Sequence, residues 1–99
     1  MRLERSRAAD SDLDEILAYS LLRFGEAAAR EYFFSFEDAF GLLERHPAAG
    51  EAVDEIQPGV RRFRHRRHRI FYEIQQDRLF VLRILHHAMS LDDRFEDRG

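Results

Sequence analysis

Residues 60–86 read VRRFRHRRHRIFYEIQQDRLFVLRILH, and this stretch decides the fold. Three short runs rich in Val, Ile, Phe and Tyr are separated by Arg66-Arg67 and by the polar residues 75–78. These runs are Val60–His65, His68–Ile74 and Leu79–Leu85. Aromatic and β-branched runs divided by short polar breaks are typical of consecutive strands joined by hairpins. The sequence therefore predicts a three-stranded antiparallel meander.

The third of these runs is apolar on both of its faces. Successive side chains of a strand point to opposite faces, so the buried set has two alternatives. One is Phe80, Leu82 and Ile84, and the other is Leu79, Val81 and Leu85. If helices cover one face of the sheet, the other face exposes more apolar surface than a monomer usually does. We therefore expect that second face to be a partner site.

The residues before the meander have helical spacing. Two apolar stripes are separated by Gly25, and Pro47 follows the second. Apolar residues three or four apart share one face of a helix, and Gly and Pro commonly end helices. The stripes are Leu13, Ile16, Leu17, Leu21 and Phe24, then Ala29, Tyr32, Phe33, Phe36, Phe40 and Leu43. They predict an αα-hairpin, and the helical spacing places most of the phenylalanines at 33, 34, 36 and 40 in the core.

The segments around these elements carry weaker signals. Leu3–Arg5 is a plausible edge strand, and Ser6 is a candidate helix cap. Residues 47–59 contain both prolines and two glycines, which predicts a long connection over the surface. Ser90, followed by acidic residues, indicates one short terminal helix or a frayed tail.

Length and composition restrict the class of protein. Ninety-nine residues suit a single domain spanning 1–99, and the chain has neither cysteine nor an apolar run long enough to span a bilayer. We expect no disulfide, no membrane partner and a cytoplasmic location. Charge is polarised: residues 1–57 carry a net −7 and residues 58–99 a net +4, with every basic residue an arginine.

Residues 61–69 hold six Arg and two His. On a strand, Arg62, Arg64 and Arg66 would line one face, whereas Arg61, Phe63 and His65 would line the other. Arginine donates two parallel hydrogen bonds to phosphate, so this strip could face RNA or DNA. The alternative is that these arginines pair with the acidic helices of the same chain or with an acidic partner.

Histidine raises the question of a metal or acid–base site. His86 and His87 are adjacent, with His46, His65 and His68 elsewhere in the chain. Adjacent residues of a strand point apart, and no metal-binding spacing, nucleotide-binding glycine motif or serine nucleophile motif occurs. We therefore predict no metal and no cofactor.

The segments HRIFY at 68–72 and VLRILH at 81–86, with Met89 beyond them, resemble the RelE/ParE superfamily of bacterial type II toxin–antitoxin toxins. The ParE branch is the more similar one. His46-Pro47 and the PGVRRF segment at 58–63 agree with it, and the resemblance covers most of the chain. It implies an α+β fold in which a β-α-α-β-β-β chain packs a helical hairpin on a small antiparallel sheet. It also implies a cognate ParD-like antitoxin.

The resemblance leaves two targets open. ParE-like members poison DNA gyrase, as in plasmid stabilisation modules, whereas RelE-like members cut mRNA on the ribosome. Arg61 and Arg69 match two basic positions of the RelE nucleases, but Ala88 stands near the place of a further arginine, and no tyrosine follows Tyr72. We therefore favour the gyrase poison.

The candidate site residues follow from that resemblance. The expected contacts with target or antitoxin are Arg61, Arg69, Phe71, Arg83, His86 and Met89. In the alternative mRNA interferase, the catalytic residues would be Arg61, Arg69, His86 and His87. A third alternative is an inactive toxin that is kept for its interaction with an antitoxin.

Overall fold

The structure is a computed structural model that describes residues 1–88. The predicted terminal helix or tail, including Met89 and Ser90, lies outside the described residues. Helices α1 and α2 span Arg7–Phe24 and Glu26–Arg45, and a 3-10 turn follows at Pro47–Ala49. Strands β1 to β5 span Arg2–Arg5, Glu51–Ala52, Val60–His65, His68–Gln75 and Arg78–His86.

The strands form one five-stranded mixed sheet in the order β1-β5-β4-β3-β2. The predicted meander of β3, β4 and β5 is confirmed, and so is the α+β class with its helical hairpin. β1 is the expected edge strand, but it pairs parallel to β5, with Leu3 opposite Leu79. β2 is a two-residue strand inside the predicted surface connection, and it pairs antiparallel to β3.

The helical hairpin packs on one face of the sheet. Ser6 caps α1 as predicted, because its hydroxyl oxygen accepts the Ala9 N–H at 2.9 Å. The same hydroxyl donates to the Leu82 carbonyl at 2.8 Å and so ties the helix start to β5. The core between the layers contains Ala9, Leu13, Phe36, Ala39, Phe40, Leu43, Ile70, Tyr72, Leu79, Val81 and Ile84.

The opposite face of the sheet is buried too, so the expectation of an exposed apolar face there is wrong. Phe71, Leu82 and Leu85 are only 4%, 6% and 3% exposed. The connection after α2 contributes Val53 and Ile56 to this second cluster. The connection is therefore a packed segment that covers apolar strand residues.

A bulge in β5 explains why neither predicted alternation describes its buried residues. Tyr72 pairs with Val81 and Phe71 pairs with Arg83, which leaves Leu82 as an extra residue. An extra residue reverses the facing of the residues that follow it. Val81 and Ile84 consequently both face the helices, and Leu82 faces away from them.

Tyr72 anchors the connection to the sheet. Its hydroxyl donates to the Pro47 carbonyl at 2.6 Å and accepts the Gly50 N–H at 2.9 Å. A Cβ at Gly50 would lie 2.7 Å from that hydroxyl and 2.9 Å from the Arg62 carbonyl oxygen. Glycine therefore permits the close approach of the connection to β4.

The tip of the helical hairpin exposes apolar side chains. Leu21 and Phe24 belong to the predicted stripe of α1, yet they are 52% and 66% exposed. Phe36 and Phe40 are core residues as predicted, but Phe33 and Phe34 are not. The sheet does not extend far enough to cover this end of the hairpin. Among residues 1–88, neither helix is long and apolar enough to cross a membrane.

Candidate functional site

A groove lies between the helical hairpin and the ends of β4 and β5. Its volume is about 710 Å³. The helical wall combines the apolar and aromatic side chains of Ile16, Tyr19, Phe24 and Ala28 with the acids Asp12, Glu15 and Glu31. The sheet wall is basic and carries imidazoles, with Arg66, Arg67, His68, Arg83 and His86. The groove can therefore receive a segment that combines apolar with charged side chains.

Asp12 and Arg83 join the two walls. Nε and Nη2 of Arg83 each donate to the Asp12 carboxylate at 2.8 Å. Asp12 also accepts the backbone N–H of Ile84 at 2.9 Å. β1 covers the edge of β5 only as far as Val81. Further along that edge, the Asp12 carboxylate accepts the hydrogen bond that a neighbouring strand would otherwise accept. The bulge at Leu82 places Arg83 opposite Phe71, beyond the end of β1, and the guanidinium reaches α1 at this uncovered edge of β5.

Tyr32 and His68 form a polar pair at the groove. The Tyr32 hydroxyl lies 2.5 Å from Nδ1 of His68. Burial, together with the charge of His86 and other neighbouring groups, lowers the pKa of His68 to about 4. Burial raises the pKa of Tyr32. Near pH 7 both groups are therefore neutral, and the phenol can donate its proton to Nδ1.

His65 lies beside this pair. Its ring stacks on Tyr32 with the ring centres 6.0 Å apart, and its Nε2 lies 2.9 Å from the Ser35 hydroxyl. Ser35 donates its own proton to the Tyr32 carbonyl, so Nε2 of His65 is the donor in the second bond. Burial first, and then the charge of Arg66, lowers the pKa of His65.

Arg66 bridges the sheet and α2 at the groove entrance. Its two Nη atoms donate to the Glu31 carboxylate at 2.9 and 2.7 Å, and its guanidinium lies over the Tyr32 ring. The hydrogen bonds from Arg66 lower the pKa of Glu31. Arg66 has φ +54° in the turn after β3. The prediction that it lines one face with Arg62 and Arg64 is wrong, because strand alternation ends before it.

The predicted pairing of arginines with the acidic helices holds for part of the strip. Arg66 pairs with Glu31 of α2. Arg62 pairs with Glu51, which belongs to β2 and not to a helix. The hydrogen bonds from Arg62 lower the pKa of Glu51.

Of the four residues of the nuclease alternative, His86 and His87 lie together, and Arg61 and Arg69 lie apart from them. Arg61 donates hydrogen bonds to the carbonyls of Gly50 and Ala48. On β4, Arg61 pairs with Tyr72, whereas His86 pairs with His68, four residues earlier. At about 3.3 Å per residue, this separation is about 13 Å.

Arg69 follows His68 on β4, so strand alternation places it on the face opposite the helices. His87 is exposed, with its ring centre 4.4 Å from that of His86.

The remaining predicted contact residues have different surroundings. Arg83 and His86 line the groove. Phe71 is buried in the second apolar cluster. Met89 lies outside the described residues. Of the predicted set, Arg83 and His86 are therefore the two that share the groove.

Sequence reasoning missed three residues of the groove. From the sequence, Tyr32 is only a member of an apolar stripe and His68 one of several histidines. Asp12 is one of several acids near the start of a helical pattern, where the helix dipole favours negative charge. Pairing Asp12 with Arg83 requires the start of α1 to lie against β5, which no local pattern indicates. No group of three His, Cys, Asp or Glu side chains within residues 1–88 is arranged to hold a metal ion.

Comparison with known proteins identifies the family. A family model described as the ParE toxin of type II toxin–antitoxin systems matches residues 3–91, which is most of the chain. The chain belongs to the ParE toxin family. It is therefore a ParE toxin of a type II toxin–antitoxin system.

ParE proteins of two bacteria are similar to this chain along most of their length. Toxin ParE1 of Caulobacter vibrioides is 32% identical over 85 residues, covering 86% of this chain and 88% of that protein. Toxin ParE1 of Mycobacterium tuberculosis is 33% identical over 88 residues, covering 88% and 90%.

A solved structure shares the ParE fold. A chain of a structure described as the chromosomal ParDE TA system from P. aeruginosa superposes with a TM-score of 0.76 at 22% identity, covering 87% of this chain and 95% of that one. At this identity, the likeness supports the fold alone.

Proposed function

We propose that this ParE toxin arrests growth by poisoning DNA gyrase and is neutralised by a cognate ParD-type antitoxin that binds in the groove. Family membership supports the antitoxin partner, since the similar solved structure is described as a ParDE system. A gyrase poison of this kind acts in the cytoplasm, where its target is, and the pair could serve plasmid stabilisation.

The separation of Arg61 and Arg69 from the His86–His87 pair is the observation that supports a poison over a nuclease. Cleavage of RNA by general acid–base chemistry needs an acid, a base and phosphate-binding groups within reach of one phosphodiester. Arg61 is held at the connection, and Arg69 lies on the opposite sheet face from His86. A mechanism that requires only binding fits this arrangement better.

The groove supports antitoxin binding through its exposed aromatic wall. Tyr19 and Phe24 are 57% and 66% exposed and contact each other edge to face, with ring centres 6.4 Å apart. Exposed, adjacent aromatic side chains in a concave site are frequent anchors of protein interfaces. A partner segment with apolar side chains on one face would remove them from water.

A cleavage assay with purified components tests the target. The chain is incubated with gyrase, ATP and supercoiled plasmid, and trapped complexes are released with detergent and protease. We expect linear DNA to accumulate with increasing toxin and to decrease when the antitoxin encoded beside the toxin gene is added. The double variant Arg69→Ala/His86→Ala should reduce the effect, whereas Arg30→Ala, on the exposed side of α2, should not.

A parallel translation assay tests the rival target. Ribosomes translating a defined mRNA are incubated with the chain, and the transcript ends are mapped by primer extension. Cuts at codon positions, without linear DNA in the gyrase assay, would overturn the proposal and support the mRNA interferase. Uncut transcripts together with gyrase-dependent linear DNA are the expected result.

A further inference from the structure

Three arginines at the tip of the β3–β4 hairpin have no acidic partner among residues 1–88. They are Arg64, Arg67 and Arg69, which we call the hairpin arginine cluster. Arg64 and Arg67 are exposed and Arg69 is half-buried. The other arginines of the strip are engaged: Arg62 and Arg66 form ion pairs, and Arg61 binds two carbonyls.

Arg64 and Arg69 are directly paired across the two strands. Like charges in that position destabilise a sheet. Arg69 is also held in place, because its Nη1 donates to the carbonyls of Arg66 at 3.1 Å and His68 at 2.9 Å. Those carbonyls do not neutralise the charge, so an unfavourable arrangement persists in the free chain. A bound polyanion would convert this repulsion into attraction.

The surroundings of the cluster leave it accessible. β2 pairs only with Arg61 and Arg62, so the outer edge of β3 has no neighbouring strand from Phe63 onward within the described part of the chain. β4 stays paired with β5 as far as His68 and His86, so β3 is the open outer strand of the sheet at the hairpin tip. Guanidinium groups donate bidentate hydrogen bonds that match phosphate oxygens.

Residues 64–69 include no Phe, Tyr or Trp. Proteins that bind single-stranded nucleic acids usually stack bases on such side chains, whereas contacts to a duplex backbone need only donors and positive charge. The ring of His65 packs against the rings of Tyr32 and Phe36, so it is not available to stack on a base. The composition of the tip therefore favours a duplex over a single strand.

We propose that the hairpin arginine cluster binds the phosphate backbone of duplex DNA, without reading its sequence. The chain as a whole carries a net charge of −3, so its attraction to DNA depends on this local cluster and not on overall charge. This inference does not rest on the proposed gyrase target, because it concerns the chain and DNA alone.

The test measures how binding of the purified chain to duplex DNA depends on salt. The fluorescence anisotropy of a labelled duplex of about 20 base pairs is followed as the chain is added, at salt concentrations from about 25 to 200 mM. Three neutralised phosphates give a slope of log affinity against log salt of about −2.7. The triple variant Arg64→Gln/Arg67→Gln/Arg69→Gln should lose at least about tenfold in affinity at low salt and most of the slope.

A second triple variant serves as the matched control. Arg7→Gln/Arg30→Gln/Arg45→Gln removes the same charge from exposed positions on the helices. It should retain the affinity and slope of the unchanged chain, and equal losses in both variants would overturn the proposal. Folding of each variant is checked by circular dichroism, and removal of the Arg64–Arg69 repulsion should leave the first variant at least as stable as the unchanged chain.

Two further probes separate duplex DNA from other polyanions. A single strand with the same number of phosphates should bind more weakly than the duplex, and equal affinity would contradict the duplex assignment. A polyglutamate peptide of the same charge should compete poorly. If it displaced the duplex at equal concentration, the cluster would be a site for an acidic protein instead.

Discussion

Asp12 holds Arg83 through two parallel hydrogen bonds of 2.8 Å while accepting the Ile84 N–H with the same carboxylate. One side chain thus satisfies a cation and a strand amide that belong to the last strand of the sheet. Asp12 is buried, and Arg83 has only 17% of its side chain exposed. The pair therefore connects α1 to β5 at the floor of the groove.

Replacing Asp12 should destabilise the protein. Asp12→Ala leaves a largely buried guanidinium and a backbone N–H without their acceptor, which should lower the free energy of unfolding by about 3 kcal/mol. Urea denaturation followed by circular dichroism measures the change. Asp14→Ala, at an exposed position of the same helix, is the control and should change stability by less than about 0.5 kcal/mol. Equal effects of the two changes would contradict the role of Asp12.

Stability should fall as the pH is lowered from about 6.5 to about 4. His68 has its pKa lowered to about 4 in the folded chain, so in this window the unfolded chain binds a proton at His68 that the folded chain does not. Proton binding to the unfolded state reduces stability on acidification, and His65, whose pKa is also lowered, contributes in the same direction. Denaturation midpoints at several pH values provide the measurement.

His68→Gln should make the pH profile flatter in that window, with His46→Gln as the matched control. His46 is exposed, and its replacement should leave the slope unchanged. A profile of His68→Gln that coincides with that of the unchanged chain would show that other groups cause the acid sensitivity.

Replacing each of two glycines by alanine should change the stability of the protein in opposite directions. Gly50→Ala places a methyl group 2.7 Å from the Tyr72 hydroxyl and 2.9 Å from backbone, which should cost about 1 to 3 kcal/mol. Gly41→Ala, inside α2, meets only the flexible end of Arg45 at 3.4 Å and should stabilise by up to about 1 kcal/mol. Thermal denaturation compares the two, and a Gly50→Ala protein as stable as the unchanged chain would contradict the close packing of the connection.

The aromatic wall of the groove should contribute to antitoxin affinity. Tyr19→Ser/Phe24→Ser removes two exposed rings and should weaken antitoxin binding by at least about tenfold, with little change in stability. Isothermal titration calorimetry with the antitoxin measures the change. Leu22→Ser alters a side chain that is 84% exposed and does not line the groove, so it should bind normally. Equal weakening by both would place the antitoxin elsewhere on the hairpin.

The meander and the helical hairpin could be predicted because their residues repeat with the periods of strands and helices. Phe36, Phe40 and Leu43 occupy the core as their spacing indicates. Two-residue β2 has no period to detect. The Leu82 bulge breaks the alternation within the run at 79–85, where Arg83 alone is polar, and one polar residue does not locate a bulge. Burial of Phe71 and Leu85 depends on the path of the connection, which the local sequence does not encode.

The groove was less predictable than the fold because it depends on distant pairs. Tyr32 and His68 are 36 residues apart, and Asp12 and Arg83 are 71 apart. Each residue has an ordinary local explanation, as a stripe member, a helix-start acid or a strand arginine. Their joint role becomes visible only when the hairpin is placed on the sheet.

The pairing of β1 with β5 has a consequence for synthesis of the toxin. The first strand of the chain can find its neighbour only after residues 78–81 have been translated. Contacts between such distant segments form late in folding because a long loop must close first. A ribosome-bound fragment that ends before β5 therefore lacks both the strand that joins β1 to β4 and the floor of the groove. The groove to which we assign antitoxin binding is therefore complete only after β5 has been translated.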